Sequence, residues 1–135
     1  MRRFLGPYSD IAYAAMRVVL AFLFFCHGLQ KLTGALGGHQ IPLASLLGVA
    51  AVLETVLGVL IAVGLLTSWA TFIASGEMAF AYFIAHFPRS GWPIKNGGEL
   101  AVVFCFVFLY VATHGGGRFS LDSLIRPDES RKGKP

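Results

Sequence analysis

Four long apolar runs, separated by short segments rich in glycine, proline or polar residues, dominate this sequence of 135 residues. An α-helix rises about 1.5 Å per residue, so about 20 residues are needed to cross a hydrocarbon core roughly 30 Å thick. The runs cover about residues 11–32, 43–66, 69–87 and 97–113. The sequence therefore predicts an all-α integral membrane protein built as a bundle of four transmembrane helices.

The composition agrees with a lipid environment. Hydrophobic residues make up 56% of the chain and charged residues only 13%, which is too apolar for a surface that faces water on all sides. The formal net charge of +4 comes from residues at the chain ends and in loops, so we exclude nucleic-acid binding and expect the lipid bilayer as the main partner. We expect one four-span domain over residues 1–127 and a disordered cytoplasmic tail over residues 128–135.

The positions of lysine and arginine predict an orientation. An even number of spans places both chain ends on one side of the membrane, and positively charged flanks tend to remain in the cytoplasm. Seven basic residues lie on the side of the termini and three on the other side. We therefore expect both termini in the cytoplasm and the protein in a bacterial inner membrane.

A short interfacial helix is predicted after the fourth run. Ser120 can cap its first turn, Asp122 would lie in that turn, and Pro127 follows its end at about Ile125.

Ionisable and amide side chains within or beside the spans define the candidate polar site. Such groups are costly in a membrane, so they usually face the interior of a bundle, pair with one another and mark functional sites. We expect the site to open toward the side opposite the termini. The candidates are Arg17, His27, Lys31, Glu54, Glu77, His86, Asn96 and Glu99.

Two roles are open for these residues. A pair of Arg17 with Glu54 or Glu77 would be structural, because buried charges persist when they are paired. The outer group of His27, Lys31 and Glu99 favours a function, since a cation beside a titratable group can bind an anion or relay protons.

Glu77 and His86 are nine residues apart, about half a turn around a regular helix. Both can face the bundle centre only if the helix bends, so one of them, or His86 as part of the following loop, is expected to lie elsewhere.

Bound metals and cofactors have weaker support. His27 and His86 at similar depth would permit a bis-histidine haem, but two histidines alone are poor support for one, and we disfavour it. The sequence contains no Glu-x-x-His pair for a di-iron centre and no metal motif. Cys26 and Cys105 form no C-x-x-C motif, and nothing in the sequence favours a redox pair over simple packing.

Four groups of residues, in order, resemble the DoxX family of small four-helix membrane proteins. They are Arg17 with His27-Gly28-Leu29-Gln30-Lys31; Glu54 with Gly58 and Gly64-Leu65-Leu66-Thr67; Glu77-Met78-Ala79-Phe80-Ala81-Tyr82 with His86; and Asn96-Gly97-Gly98-Glu99 with Gly115-Gly116-Gly117-Arg118-Phe119-Ser120-Leu121-Asp122.

The resemblance implies a four-span fold and an association with membrane redox systems, thiosulfate:quinone oxidoreductase among them. It therefore favours a subunit or accessory of a membrane oxidoreductase that meets an exchangeable quinone or a redox protein partner. The alternatives are a transporter or binding protein for a small solute, for which a homo-oligomer is expected, and a scaffold for a membrane complex.

Overall fold

The computed structural model describes residues 2–126, and every element of regular structure in that range is helical. The predicted all-α class is confirmed for this part of the chain, whereas the predicted tail lies outside the described residues. A 3-10 turn spans Gly6–Tyr8 and a π-helical turn spans Tyr82–His86. The α-helices are α1 (Arg2–Leu5), α2 (Ser9–Thr33), α3 (Leu46–Val63), α4 (Thr67–Ala81), α5 (Pro93–Asn96), α6 (Glu99–His114) and α7 (Leu121–Ile125).

Two of these helical stretches are long and apolar enough to cross a membrane. The first runs for 28 residues from Gly6 to Thr33, and the second is α3, with 18 residues. The apolar helix α6 has 16 residues, or about 24 Å at about 1.5 Å per residue. Helix α4 continues directly into the π-helical turn, so the chain is helical from Thr67 to His86.

The long helices pack as two antiparallel pairs, α2 against α3 and α4 against α6. Buried aromatic rings join the pairs: Phe24 of α2 contacts Phe104 and Phe108 of α6, with centroid distances of 5.7 and 5.1 Å. Large apolar side chains elsewhere on these helices are exposed, among them Phe22, Val56 and Phe72. Such an apolar surface is expected of a protein whose solvent is lipid.

Glycines set the ends of the first pair and its closest approach. Gly34 and Gly64 end α2 and α3 with φ of 71° and 73°, a left-handed conformation that glycine adopts without steric penalty. Gly28 lies where α2 meets α3, and a Cβ there would stand 2.6 Å from the Thr55 nitrogen and 2.8 Å from the Ala51 oxygen. The absence of a side chain at Gly28 therefore lets the two backbones touch.

Long-range hydrogen bonds connect the segment after α6 to the start of α2 and to the α3–α4 turn. The Tyr13 hydroxyl donates to the Gly115 oxygen at 2.5 Å. The Asp122 carboxylate accepts from the backbone N–H groups of Leu66 and Thr67, each at 2.8 Å. We call this region, residues 64–67 and 115–126 with the start of α2, the terminal end of the molecule.

The short helix predicted after the fourth run is confirmed as α7. The Ser120 hydroxyl oxygen accepts from the Ser123 N–H at 3.2 Å, which is the predicted cap. Asp122 lies in the first turn as expected, but its carboxylate binds the start of α4.

Candidate functional site

A buried ion pair joins α2 to α3. The Lys31 ammonium donates to Glu54 Oε1 at 2.6 Å, and the two side chains are 26% and 3% exposed. The contact of the two helices at Gly28, almost one turn before Lys31, brings the bases of both side chains together. Lys31 and Glu54 are therefore paired with each other, as the cost of an isolated charge in a membrane leads one to expect.

Glu77 approaches this pair from α4. Its carboxylate interacts electrostatically with both Glu54 and Lys31. Both of its oxygens are buried and accept no hydrogen bond from any residue in the described range, and the same is true of Glu54 Oε2. We call Lys31, Glu54 and Glu77 the acidic triad, in which two carboxylates face one ammonium group.

Arg17 lies apart from the acidic triad, at the terminal end. Its side chain is 2% exposed, and its two terminal nitrogens donate to the carbonyl oxygens of Gly116 and, at 2.7 Å, Phe119. The predicted pair of Arg17 with Glu54 or Glu77 is therefore wrong. Backbone carbonyl groups in the glycine-rich segment after α6 accept from both terminal nitrogens of Arg17, whereas its buried Nε has no hydrogen-bond partner among residues 4–126.

Asn96 organises the loop between the π-helical turn and α6. This residue, 3% exposed, donates to the Ser90 oxygen at 2.7 Å and to the Tyr82 hydroxyl at 3.3 Å, and it accepts from the Gly98 N–H at 2.7 Å. Its amide is thus fully used in holding the loop. Asn96 supports the site's surroundings and does not offer a free group to a ligand.

His86, the last residue of the π-helical turn, contacts this loop. Its Nδ1 lies 3.2 Å from the Asn96 oxygen, and its ring stacks on Tyr82 with centroids 6.3 Å apart. One of the outcomes expected for Glu77 and His86 is observed: Glu77 lies in the acidic triad, whereas His86, in the π-helical turn, contacts the loop.

The predicted outer group of His27, Lys31 and Glu99 is not assembled. The His27 ring meets Phe104 edge-on at 6.4 Å. Glu99 is exposed in the first turn of α6, where its negative charge interacts favourably with the dipole at the helix N-terminus. Of the three, only Lys31 belongs to the acidic triad.

The cysteines are separate. Cys26 and Cys105 are free thiols, and the Ser75 hydroxyl donates to the backbone oxygen of Cys105 at 2.7 Å. Within residues 2–126 no group of three or more histidine, cysteine, aspartate or glutamate side chains is placed to hold a metal ion.

Comparison with known proteins decides the family. The sequence model of the DoxX family matches residues 12–87, more than half of the chain, from the first turn of α2 through the π-helical turn. The chain belongs to the DoxX family. The predicted family is thereby confirmed, and the protein is a membrane protein.

A relative of this DoxX protein agrees with the family match. An uncharacterised protein of Haemophilus influenzae is 40% identical over 129 residues, which cover 88% of this chain and 94% of that protein. No solved structure matches the chain significantly.

The structure of this DoxX protein adds residues that sequence reasoning missed. Tyr13 of α2 binds Gly115 across the bundle. Asp122 was predicted to lie in the first turn of the short helix, yet its carboxylate also holds the start of α4. Their contacts join residues more than fifty positions apart, and the spacing of residues along one segment carries no signal for such contacts.

An apolar groove lies between α2 and α3, with a volume of about 240 Å³. It is lined by Val18, Ala21, Phe22, Phe25, Gly58, Val59, Ala62 and Val63. None of the candidate polar residues lines it, and the contact of Gly58 with Phe25 closes its floor. The groove is therefore separate from the acidic triad.

Proposed function

We propose that this DoxX protein serves a membrane oxidoreductase system by contacting the polar head of a quinone at the acidic triad. The buried Lys31–Glu54 pair, with Glu77 beside it, is the observation that carries the proposal. Family membership supports the redox context, and the partner oxidoreductase supplies the electrons. The contribution of this chain is to bind and orient the head group.

The chemistry of the triad suits both forms of a quinone. Lys31 uses one of its three N–H bonds on Glu54 and retains others for a quinone carbonyl oxygen. The hydroxyl groups of the reduced form donate hydrogen bonds, and the carboxylate oxygens that lack donors accept them. Lys31, at 26% exposure, is the point at which a head group reaches the cluster.

We also propose that the chain crosses the membrane four times with both termini in the cytoplasm. The apolar lengths of α2 and α3 support the first two crossings, and the continuous helix from Thr67 to His86 and α6 supply the others. The antiparallel packing of the two helix pairs supports alternating crossings. In this arrangement the terminal end faces the cytoplasm and the acidic triad lies nearer the outer half of the membrane.

Labelling of single cysteines tests the orientation. Lys95→Cys and Ser123→Cys are introduced separately into a chain in which both native cysteines are alanine. A membrane-impermeant maleimide should label the first in intact cells and the second only after the membrane is permeabilised. Labelling of position 123 in intact cells would contradict the proposed orientation.

Binding of a short-tailed benzoquinone or naphthoquinone tests the function. We expect binding to the purified protein in lipid nanodiscs, weakened at least about tenfold by Lys31→Met, since a lost hydrogen bond from a charged group costs about 1.5–3 kcal/mol. Lys95→Met, on the exposed helix α5, is the matched control and should bind as the parent does. Equal binding by the parent and both variants, or no binding at all, would contradict the quinone contact.

A further inference from the structure

The acidic triad is short of hydrogen-bond donors. Lys31 supplies one donor to Glu54 Oε1 at 2.6 Å. The other Glu54 oxygen and both Glu77 oxygens are buried, and no group within residues 4–126 donates to them. Glu54 is itself 3% exposed, so its second oxygen has almost no surface from which solvent could donate a hydrogen bond. Three buried acceptor atoms of the triad therefore lack a hydrogen-bond donor.

The triad is also unbalanced in charge. Glu77 is repelled by Glu54 and attracted by Lys31, and one ammonium group balances only one carboxylate. With both glutamates ionised, the cluster would hold a net negative charge inside an apolar bundle. Such a charge is strongly disfavoured in the absence of water or a second cation.

The charged and titratable groups on the neighbouring helices do not supply that cation. On α2, His27 rests against Phe104, and Arg17 is engaged by carbonyl groups at the terminal end. In the π-helical turn after α4, Tyr82 and His86 contact Asn96. The titratable side chains of α6 are engaged elsewhere or exposed. Glu99 is exposed, Cys105 lies beside Ser75, and Tyr110 and His114 stack together toward the terminal end.

We propose that Glu77 holds one exchangeable proton at neutral pH, so that Lys31, Glu54 and Glu77 together form a neutral, proton-binding triad. The proton removes the excess negative charge and turns one Glu77 oxygen from an acceptor into a donor. Glu54 is held by Lys31, and Glu99, which belongs to the outer group for which the sequence favoured anion binding or proton relay, is exposed. Only the use of this proton in redox chemistry rests on the proposed function.

Infrared spectroscopy counts the protonated carboxyl groups. The purified, quinone-free protein in nanodiscs at pH 7 should show one carboxylic-acid C=O band that shifts in D2O. Glu77→Gln should remove the band. Glu54→Gln should also remove it, because Lys31 then pairs with Glu77. Lys31→Met should double the band amplitude, because both glutamates lose their cation. His27→Gln and Glu99→Gln are controls that should leave it unchanged.

Several results would overturn the proposal. They are the absence of the band in the parent protein, its persistence in Glu77→Gln, and an unchanged amplitude in Lys31→Met. A band that appears only when sodium and potassium are withdrawn would show that a metal cation fills the place of the proton. Far-UV circular dichroism confirms the fold of each variant, and the doubled amplitude in Lys31→Met remains decisive if a glutamate variant fails to fold. Because no quinone is present, failure here is distinct from failure to bind quinone.

Discussion

Replacement of Asp122 by alanine should destabilise the protein mainly at the start of α4, although Asp122 itself lies on α7. The carboxylate accepts hydrogen bonds from the Leu66 and Thr67 N–H groups, each at 2.8 Å, and these are two of the groups that the start of α4 leaves without helical partners. Leu66 has φ of 50°, an unfavourable conformation for a residue other than glycine. The Asp122 contact holds that conformation in place.

The magnitude follows from these two bonds. A hydrogen bond to a charged group contributes about 1.5–3 kcal/mol when buried, and loss of a helix cap costs about 0.5–2 kcal/mol. Asp122 is partly exposed, and water can replace some of the lost contact. We therefore expect Asp122→Ala to lower the free energy of unfolding by about 2 kcal/mol, roughly a thirtyfold change in the unfolding equilibrium.

The effect should depend on pH in a defined direction. Partial burial favours the neutral acid, but hydrogen bonds from Thr67 and Leu66 outweigh it and hold the pKa of Asp122 below its ordinary value of 3.8. A carboxyl group whose pKa is lower in the folded protein stabilises the fold when pH is above the unfolded pKa. The difference between parent and Asp122→Ala should thus be complete at pH 6–7 and shrink as pH falls below about 4.

Unfolding by SDS in mixed micelles, followed by far-UV circular dichroism, measures this difference. Asp10→Ala is the matched control, since Asp10 also lies in the first turn of a helix but holds no other helix. It should cost about 0.3–1 kcal/mol, the usual contribution of the helix dipole. Equal losses in the two variants, or a difference that does not change between pH 7 and pH 3, would refute the reasoning.

Three further substitutions probe other contacts. In the same assay, Gly28→Ala should lower the free energy of unfolding by about 1–3 kcal/mol, because the added methyl group forces α2 away from α3. Gly76→Ala is the control and should be neutral or stabilising, because a Cβ there meets nothing within 4 Å. Similar losses in the two variants would contradict the close approach of α2 and α3. Arg17→Met should lower the free energy of unfolding by about 2–4 kcal/mol and speed tryptic cleavage after α6, because two carbonyl groups lose their donor. An unchanged cleavage rate would show that Arg17 does not hold this segment in place. Asn96→Ala should accelerate amide hydrogen exchange across the loop before α6, and Lys95→Ala should not; equal exchange rates would show that the Asn96 amide does not order the loop.

The helical elements could be predicted well because their signals are local. Apolar length located α2 and α3 to within three residues at each end, and Ser120 located the start of α7. The fourth run was predicted to begin at Gly97, but Gly97 has φ of 70° and ends α5, so α6 begins at Glu99. Glycine at a helix boundary marks the end of one helix as readily as the start of the next.

The candidate site could be predicted only in part, because pairing across a bundle depends on depth and on rotation of each helix. Lys31 and Glu54 were identified through the cost of isolated charges in lipid, and they do pair. The same reasoning failed for Arg17, because it considered only carboxylates as partners and not carbonyl oxygens freed by Gly115-Gly116-Gly117. Every residue carries a backbone carbonyl oxygen, so the residue types in a sequence do not show which of these oxygens accepts a hydrogen bond from a buried side chain.

The contrast between Arg17 and the acidic triad separates a structural charge from a candidate functional one. The terminal nitrogens of Arg17 both have carbonyl partners, as expected of a group that holds the fold together, and of its three nitrogens Nε alone has no partner among residues 4–126. The triad instead keeps three buried oxygens without donors from the described chain. At about 1–3 kcal/mol each, such unmet groups would cost an amount comparable with the whole stability of a domain, about 5–15 kcal/mol. A proton on Glu77, or the hydroxyl group of a bound quinol, is the kind of donor that we propose for these oxygens.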